Sequence, residues 1–317
     1  MYKNRSRIIK VKIEFQLFFH YLYLIQYHIV NRTIINKGIK YLLSWKNNYG
    51  SMTNLTSEKV SNQIQVDNKK QIIKGPVNKI PSILINEYSL DGKIPIQYLY
   101  RDNSVSMKTI WSEAYLESYC NRFTPSNIFK NKHGKEPYPG ASRLLCLSLN
   151  KFEVKNKHVA VIGSQTPWIE AILINLNCNT ITTVEYNVPL YSGKRIKTIS
   201  YKDFYRSQYK FDAIITFSSI EHSGLGRYGE SLEPFVDIEA MNVIYDKLIS
   251  TGILFLGVPI GKDVLVWNVH RIYGKIRMPI LIEKFHLLDC FGGKISYLNN
   301  SSVKENGLQP VFVLQKL

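Results

Sequence analysis

The chain has 317 residues, of which 45% are hydrophobic and 12% aromatic, enough apolar surface to exclude global disorder and to fill one large domain with an appendage. Its formal net charge of +17 points to an acidic partner (a phospholipid surface, nucleic acid, or a phosphorylated or acidic glycan), although codon bias toward Ile, Asn, Lys and Tyr gives the same balance. Cys120, Cys146, Cys178 and Cys290 stand far apart without CxxC spacing, which excludes the usual zinc motifs and a disulfide framework and leaves reduced thiols in a cytoplasmic protein.

Residues 1–50 form a basic, aromatic segment. Lys3, Arg5, Arg7, Lys10 and Lys12 precede the apolar run Phe15–Val30, and Arg32, Lys37 and Lys40 follow it. The run is shorter than the ~20 residues of a spanning helix and carries Gln16, His20, Gln26 and His28. It suits either a helix lying in a membrane interface, with peripheral contact through residues 1–45, or one packed on protein. Residues 51–80, rich in Ser, Asn, Lys and Gln, read as a linker, and 81–150 as an irregular, partly helical lead-in.

From residue 151 strands and helices alternate. His158–Gly163 is a predicted strand entering a turn, Pro167–Leu176 a helix, and Thr180–Glu185 and Arg195–Ser200 two further strands. Phe211–Phe217 is a fourth strand, apolar enough to be buried on both faces. Asp237 is placed as the N-cap of a helix with Ile238, Met241, Tyr245, Leu248 and Ile249 on one face, ended by Gly252. Ile253–Val258 is a fifth strand, and Leu281–Leu288 a helix. Lys294–Leu298 and Pro310–Gln315 close the chain as a strand pair. The fold class that follows is α/β: a Rossmann-like, doubly wound, mostly parallel sheet over 151–317 with an antiparallel C-terminal strand and an N-terminal helical extension.

The segments HVAVIGSQTPWIEA, TTVEYN, SSIEHSGLGRYG, DIEAM, GVPIGKDVLVWNVHRIYG and MPILIEKF, over roughly Pro137–Phe291, resemble the uncharacterised Caenorhabditis-type domain-of-unknown-function family. That resemblance implies a class I S-adenosylmethionine-dependent methyltransferase-like core, with bacterial members often met among surface-glycan biosynthesis genes.

On the residues themselves, Gly163 and Ser164 end the first strand where the backbone can approach a ligand, and Glu185 ends the second where an acid suits ribose hydroxyls. In a methyltransferase-like site Asp203 would lie near the adenine, with Ser218 and Ser219 at the methionine end. One departure is that Gly163-Ser-Gln-Thr-Pro167 keeps a single glycine of the usual three. Catalytic candidates are His222 and His270, imidazoles able to take a proton from an acceptor, and Glu221, an acid able to orient the His222 ring. Arg227 and Tyr228 suit a carboxylate or phosphate, and Trp267, Asn268 and Arg271 a sugar or purine. No metal motif and no basic stripe with stacking aromatics is present, which argues against nucleic acid. Two function classes remain: a methyltransferase acting on a small-molecule or glycan-linked acceptor, and a non-catalytic scaffold of the same fold peripheral to a membrane assembly.

Overall fold

The computed structural model describes residues 72–105, 109–293, 297–298 and 308–316. The predicted segment 1–50, residues 51–71 of the linker and most of the Lys294–Leu298 strand lie outside the described residues; Tyr297 and Leu298 are not in a strand.

Ahead of the main sheet come α1 (Ser82–Ser89), β1 (Ile96–Tyr98), β2 (Ile110–Trp111), α2 (Glu113–Arg122), α3 (Pro125–Phe129) and α4 (Ala141–Lys151). The alternating part then runs β3 (His158–Ile162), α5 (Trp168–Asn175), β4 (Thr180–Glu185), β5 (Leu190–Tyr191), β6 (Lys197–Ser200), α6 (Tyr201–Arg206) and β7 (Phe211–Phe217). After α7 (Val236–Lys247) and β8 (Leu248–Gly257), a hairpin of β9 (Val264–Trp267) and β10 (His270–Ile272) precedes α8 (Arg277–Leu281), β11 (Phe285–Phe291) and β12 (Val311–Lys316).

The seven-stranded sheet has the order β11-β12-β8-β7-β3-β4-β6. Neighbours from β6 through β8 are parallel, and β12 is antiparallel to both β8 and β11. Counted within this sheet the order is third, second, first, fourth, fifth, seventh, sixth, with only the seventh reversed. This is the sheet of the class I methyltransferase fold. The order reverses between β3 and β7, so their carboxyl ends open a crevice where open α/β sheets take ligands.

Period-two alternation divides the core between the two faces. Val159, Val161, Ala213 and Ile215 pack on one side, under α2, α4 and α5. Ala160, Ile162 and Ile214 pack on the other, with Leu254 and Leu256, under α7 and α8. Each buried Val, Leu or Ile among them contributes about 1.5–3 kcal/mol. A third cluster joins Tyr88 of α1, Leu225, Leu232, Leu265 and Trp267, so the lead-in covers the β9–β10 hairpin and the segment after β7.

Several boundaries differ from expectation. β6 starts at Lys197 rather than Arg195, because Arg195 pairs with Glu113 and Glu117 of α2. Asp237 lies inside the first turn of α7, after the cap Phe235, and is fully buried. Leu248 and Ile249, expected on that helix, already belong to β8, and Gly252 is a strand residue. Phe285–Phe291 is a strand where a helix over Leu281–Leu288 was expected, and the preceding helix is only Arg277–Leu281.

Candidate functional site

The site grows from the end of β7. Ser218 leaves the strand at φ 50°, a left-handed conformation that costs a non-glycine residue about 1–3 kcal/mol and recurs at functional turns. Its backbone N–H donates to the Gly257 carbonyl at 2.8 Å, which anchors the turn to β8. A single 3₁₀ turn, Ile220–His222, follows. It puts Glu221 inward, fully buried, with the Ser218 hydroxyl donating to its Oε1 at 2.8 Å. Glu221 Oε2 is buried without a hydrogen-bond partner among the described residues. Burial, against hydrogen bonds from Ser218 and the backbone, pushes this carboxyl up to about 7.

His222 Nδ1 lies 2.6 Å from the Val269 carbonyl. A carbonyl can only accept, so Nδ1 carries the proton and Nε2 presents its lone pair. Nε2 is 3.7 Å from Glu221 Oε1. Burial pulls the imidazole down to about 4, so it is neutral at physiological pH. The rings of Tyr228 and His270 flank it at centroid distances of 6.3 and 6.2 Å.

The loop after this turn is pinned from three sides. Arg271 is buried, and its guanidinium donates to the carbonyls of Ser223 at 2.7 Å, Pro234 at 3.1 Å and Glu221 at 3.4 Å. Tyr88 donates to the Gly224 carbonyl at 2.5 Å. The Glu230 carboxylate accepts from the N–H groups of Gly226 and Tyr228, both at 2.8 Å.

The second predicted cluster is different from its expected form. Val264–Trp267 and His270–Ile272 are paired strands rather than a loop. Trp267 has no exposed surface; it donates to the Val77 carbonyl at 3.1 Å and meets Tyr88 edge-on at 5.1 Å. Asn268 is equally buried and accepts from the Arg101 N–H at 2.9 Å. Trp267 and Asn268 Oδ1 tie the hairpin to the lead-in and Arg271 ties it to the loop after β7; all three are buried and not open to a sugar or purine, and Asn268 Nδ2 has no hydrogen-bond partner among the described residues. His270 is buried behind His222, which leaves His222 as the imidazole nearer solvent.

On the cofactor side, Gly163 has φ 81°, and a Cβ there would meet Ser219 Oγ at 2.1 Å. Glycine is required for Ser219 to press against the first loop. Glu185 ends β4, half-buried, and burial pushes its carboxyl up to about 7. Its Oε2 accepts from the Tyr186 N–H at 2.9 Å. Asp203 does follow β6, but it is exposed, and its N–H donates to the Ser200 hydroxyl that caps the start of α6 while its Oδ2 accepts from that same hydroxyl at 2.6 Å.

Three participants escaped the sequence reading. Tyr138, from the turn before α4, is partly buried, which raises its phenol above the usual value, and it lies within electrostatic reach of Ser218, Glu221 and Arg227. Gln309, before β12, donates to Ser218 Oγ at 3.1 Å. Glu170 is fully buried in α5 beneath the Gly163 loop, accepting from Thr183 Oγ1 at 2.7 Å and lying 2.9 Å from Ser164 Oγ. A lone acid inside the apolar run Trp168–Asn175 was the available signal for the last.

An open cleft of about 340 Å³ lies at the opposite, amino-terminal edge of the sheet, lined by His158, Thr180, Lys197 and Lys210 among others. Lys210 caps the Asp246 carbonyl at the end of α7 and Lys197 donates to Tyr209, so these lysines have local structural partners. Arg195, which also lines this cleft, is paired with Glu113 and Glu117, and the carboxyl edge at the switch point remains the candidate site. Among the described residues no helix is long and apolar enough to cross a membrane.

The profile of the family described as Caenorhabditis protein of unknown function, DUF268, matches residues 140–317. No curated protein matches the chain. Among solved structures, a Burkholderia thailandensis 1,6-didemethyltoxoflavin-N1-methyltransferase shares 13% identity over 67% of this chain and 93% of its own, at a TM-score of 0.40. The N-methyltransferase NodS from Bradyrhizobium japonicum, solved with S-adenosyl-L-homocysteine, shares 13% over 64% and 98%, at 0.38. A Streptococcus mutans protein described as a SAM-dependent methyltransferase shares 13% over 55% of this chain, which spans about half (48%) of that protein's length, at 0.37.

Proposed function

Because the chain belongs to the family of the Caenorhabditis protein of unknown function, DUF268, and carries its polar groups at the switch point of a class I sheet, we propose that it is an S-adenosylmethionine-dependent methyltransferase acting on a small-molecule or glycan-linked acceptor. The observation that carries this reading is Glu185 at the carboxyl end of β4, one strand from Gly163, with Oε1 bonded to no described residue. That placement fits a ribose diol. Ser164, Ser218 and Ser219 would line the remainder. Asp203, whose carboxylate accepts from the Ser200 hydroxyl, would be the residue near the adenine.

When bound, the cofactor supplies a methyl group already activated on a sulfonium. The chain then has to orient the acceptor and remove its proton. His222 Nε2 offers a lone pair at any pH well above 4. Glu221 is fully buried, with its carboxyl pushed up to about 7 by burial, and lies 3.7 Å from His222 Nε2, so it would act through His222 rather than on the acceptor itself. His270 is too enclosed to reach an acceptor directly and is a positioning residue behind His222.

Calorimetric titration of the purified chain with S-adenosylmethionine tests the reading. Binding should be seen, and Glu185→Ala should weaken it at least tenfold, by loss of a charge-assisted hydrogen-bond pair. No binding at millimolar ligand would sink the enzyme proposal and favour the scaffold. Peripheral membrane contact through residues 1–45 is a separate proposal, and equal pelleting with anionic vesicles of chains with and without that segment would reject it.

A further inference from the structure

We propose that the acceptor carries a small oxyanion, carboxylate or phosphate, and that Arg227 is the residue that grips it; this deepens the methyltransferase reading and rests on it. Arg227 Nε donates to Asn103 Oδ1 at 2.7 Å, while the Asn103 N–H donates to the Arg227 carbonyl at 2.9 Å. This reciprocal pair fixes both the backbone and the inner nitrogen of Arg227. Neither Nη group bonds a described residue, so the planar fork that matches a carboxylate or phosphate bidentately is preset and open.

The surroundings are built for the same purpose. Glu230, the acid closest in sequence, is consumed by the N–H groups of Gly226 and Tyr228 and so rigidifies the loop on both sides of Arg227. The guanidinium carbon lies 5.1 Å from the Tyr228 ring centroid, and that ring is the one edge-on to His222. The charge of Arg227 is felt at both Tyr138 and His222. An oxyanion on the fork is thereby held beside the group that would take the acceptor's proton. Ser104 lies against Gly229, 3.4 Å from where its Cβ would be, so the lead-in supplies a wall of this subsite.

The test uses the full chain and two probes, acetate and inorganic phosphate, followed by NMR at low salt with glycerol as the uncharged control. Saturable binding of at least one anion is expected, and which one binds separates a carboxylated from a phosphorylated acceptor. Arg227→Gln should weaken it tenfold or more. Arg227→Lys, which keeps the charge and loses the fork, should weaken it several-fold, as should Asn103→Ala, and exposed Arg206→Gln should have no effect. Arg227 is partly exposed, so unchanged thermal melting of its variants certifies their fold. Anion binding that is absent, or equal in wild type and Arg227→Gln, overturns the proposal; wild-type binding by Arg227→Lys overturns the fork. Glu185→Ala should leave anion binding intact, so failure of S-adenosylmethionine to bind would be told apart from failure here.

Discussion

Glu170→Gln gives the sharpest check on how the single-glycine loop is held. Ser164 Oγ lies 2.9 Å from Glu170 Oε2 and 3.0 Å from the Thr166 carbonyl oxygen. A serine hydroxyl has one proton and cannot donate to both. The arrangement is fully satisfied when Glu170 is the neutral acid, donating from Oε2 to Ser164, which donates to Thr166, while Thr183 donates to Oε1. Burial agrees with this, pushing the carboxyl from 4.5 up to about 7. Because the folded-state value is raised, the folded form holds a proton that the unfolded chain has released. The stability tied to that proton is fully present below pH 4.5 and is lost as the pH rises to about 7. At 1.36 kcal/mol per pH unit, ionising Glu170 in place costs the folded state about 3 kcal/mol by pH 8. Glutamine mimics the neutral acid, with its Nε2 donating to Ser164. Urea unfolding followed by tryptophan fluorescence at pH 5, 6, 7 and 8 should show the variant gaining roughly 2–3 kcal/mol on the wild type across that range. The subtraction removes the parallel contributions of Glu185 and Glu221 and the opposing one of His222. Identical pH slopes for the two proteins would refute the proton chain, and so would a variant less stable than wild type at every pH.

Two further outcomes follow from the same geometry. Gly163→Ala should destabilise the chain by more than 1 kcal/mol, since its Cβ would meet Ser219 Oγ at 2.1 Å on a backbone at φ 81°; Ser219→Gly in the same chain should recover part of the loss in thermal melts, and no recovery would mean that the clash is not the cause. Asp237 is buried between Arg277, 2.6 Å away, and Arg271, 3.7 Å away, and those charges hold its carboxyl below the usual range despite burial. Its contribution is therefore present above pH 3.8 and lost as the pH falls through the folded-state value. Asp237→Asn should cost about 3–5 kcal/mol at pH 7 by leaving two guanidiniums uncompensated, and a loss under 1 kcal/mol in urea unfolding would contradict that account.

What the sequence by itself determined was the order of the sheet domain. The buried strands His158–Ile162, Thr180–Glu185 and Phe211–Phe217 are set by short-range hydrophobic patterning, and so is the position of Gly163, Glu185 and Ser218 at their carboxyl ends. Where local pattern was ambiguous it misled. In Phe285–Phe291 a bulge between Leu287 and Asp289 breaks the period-two alternation, and the remaining apolar spacing mimics a helix. Only the tertiary structure decided which polar residues are buried and which stay open at the carboxyl edge of the sheet. Trp267, Asn268 and Arg271 read as a binding loop because nothing nearby in sequence satisfies them; their partners are Val77, Arg101 and Ser223, between 48 and 190 residues away. Tyr138, Gln309 and Asn103 reach the site from equally remote segments. Strand formation depends on residues one or two apart, whereas burial and hydrogen-bond satisfaction depend on whatever the fold brings alongside, which is why the sheet was legible and the walls of its site were not.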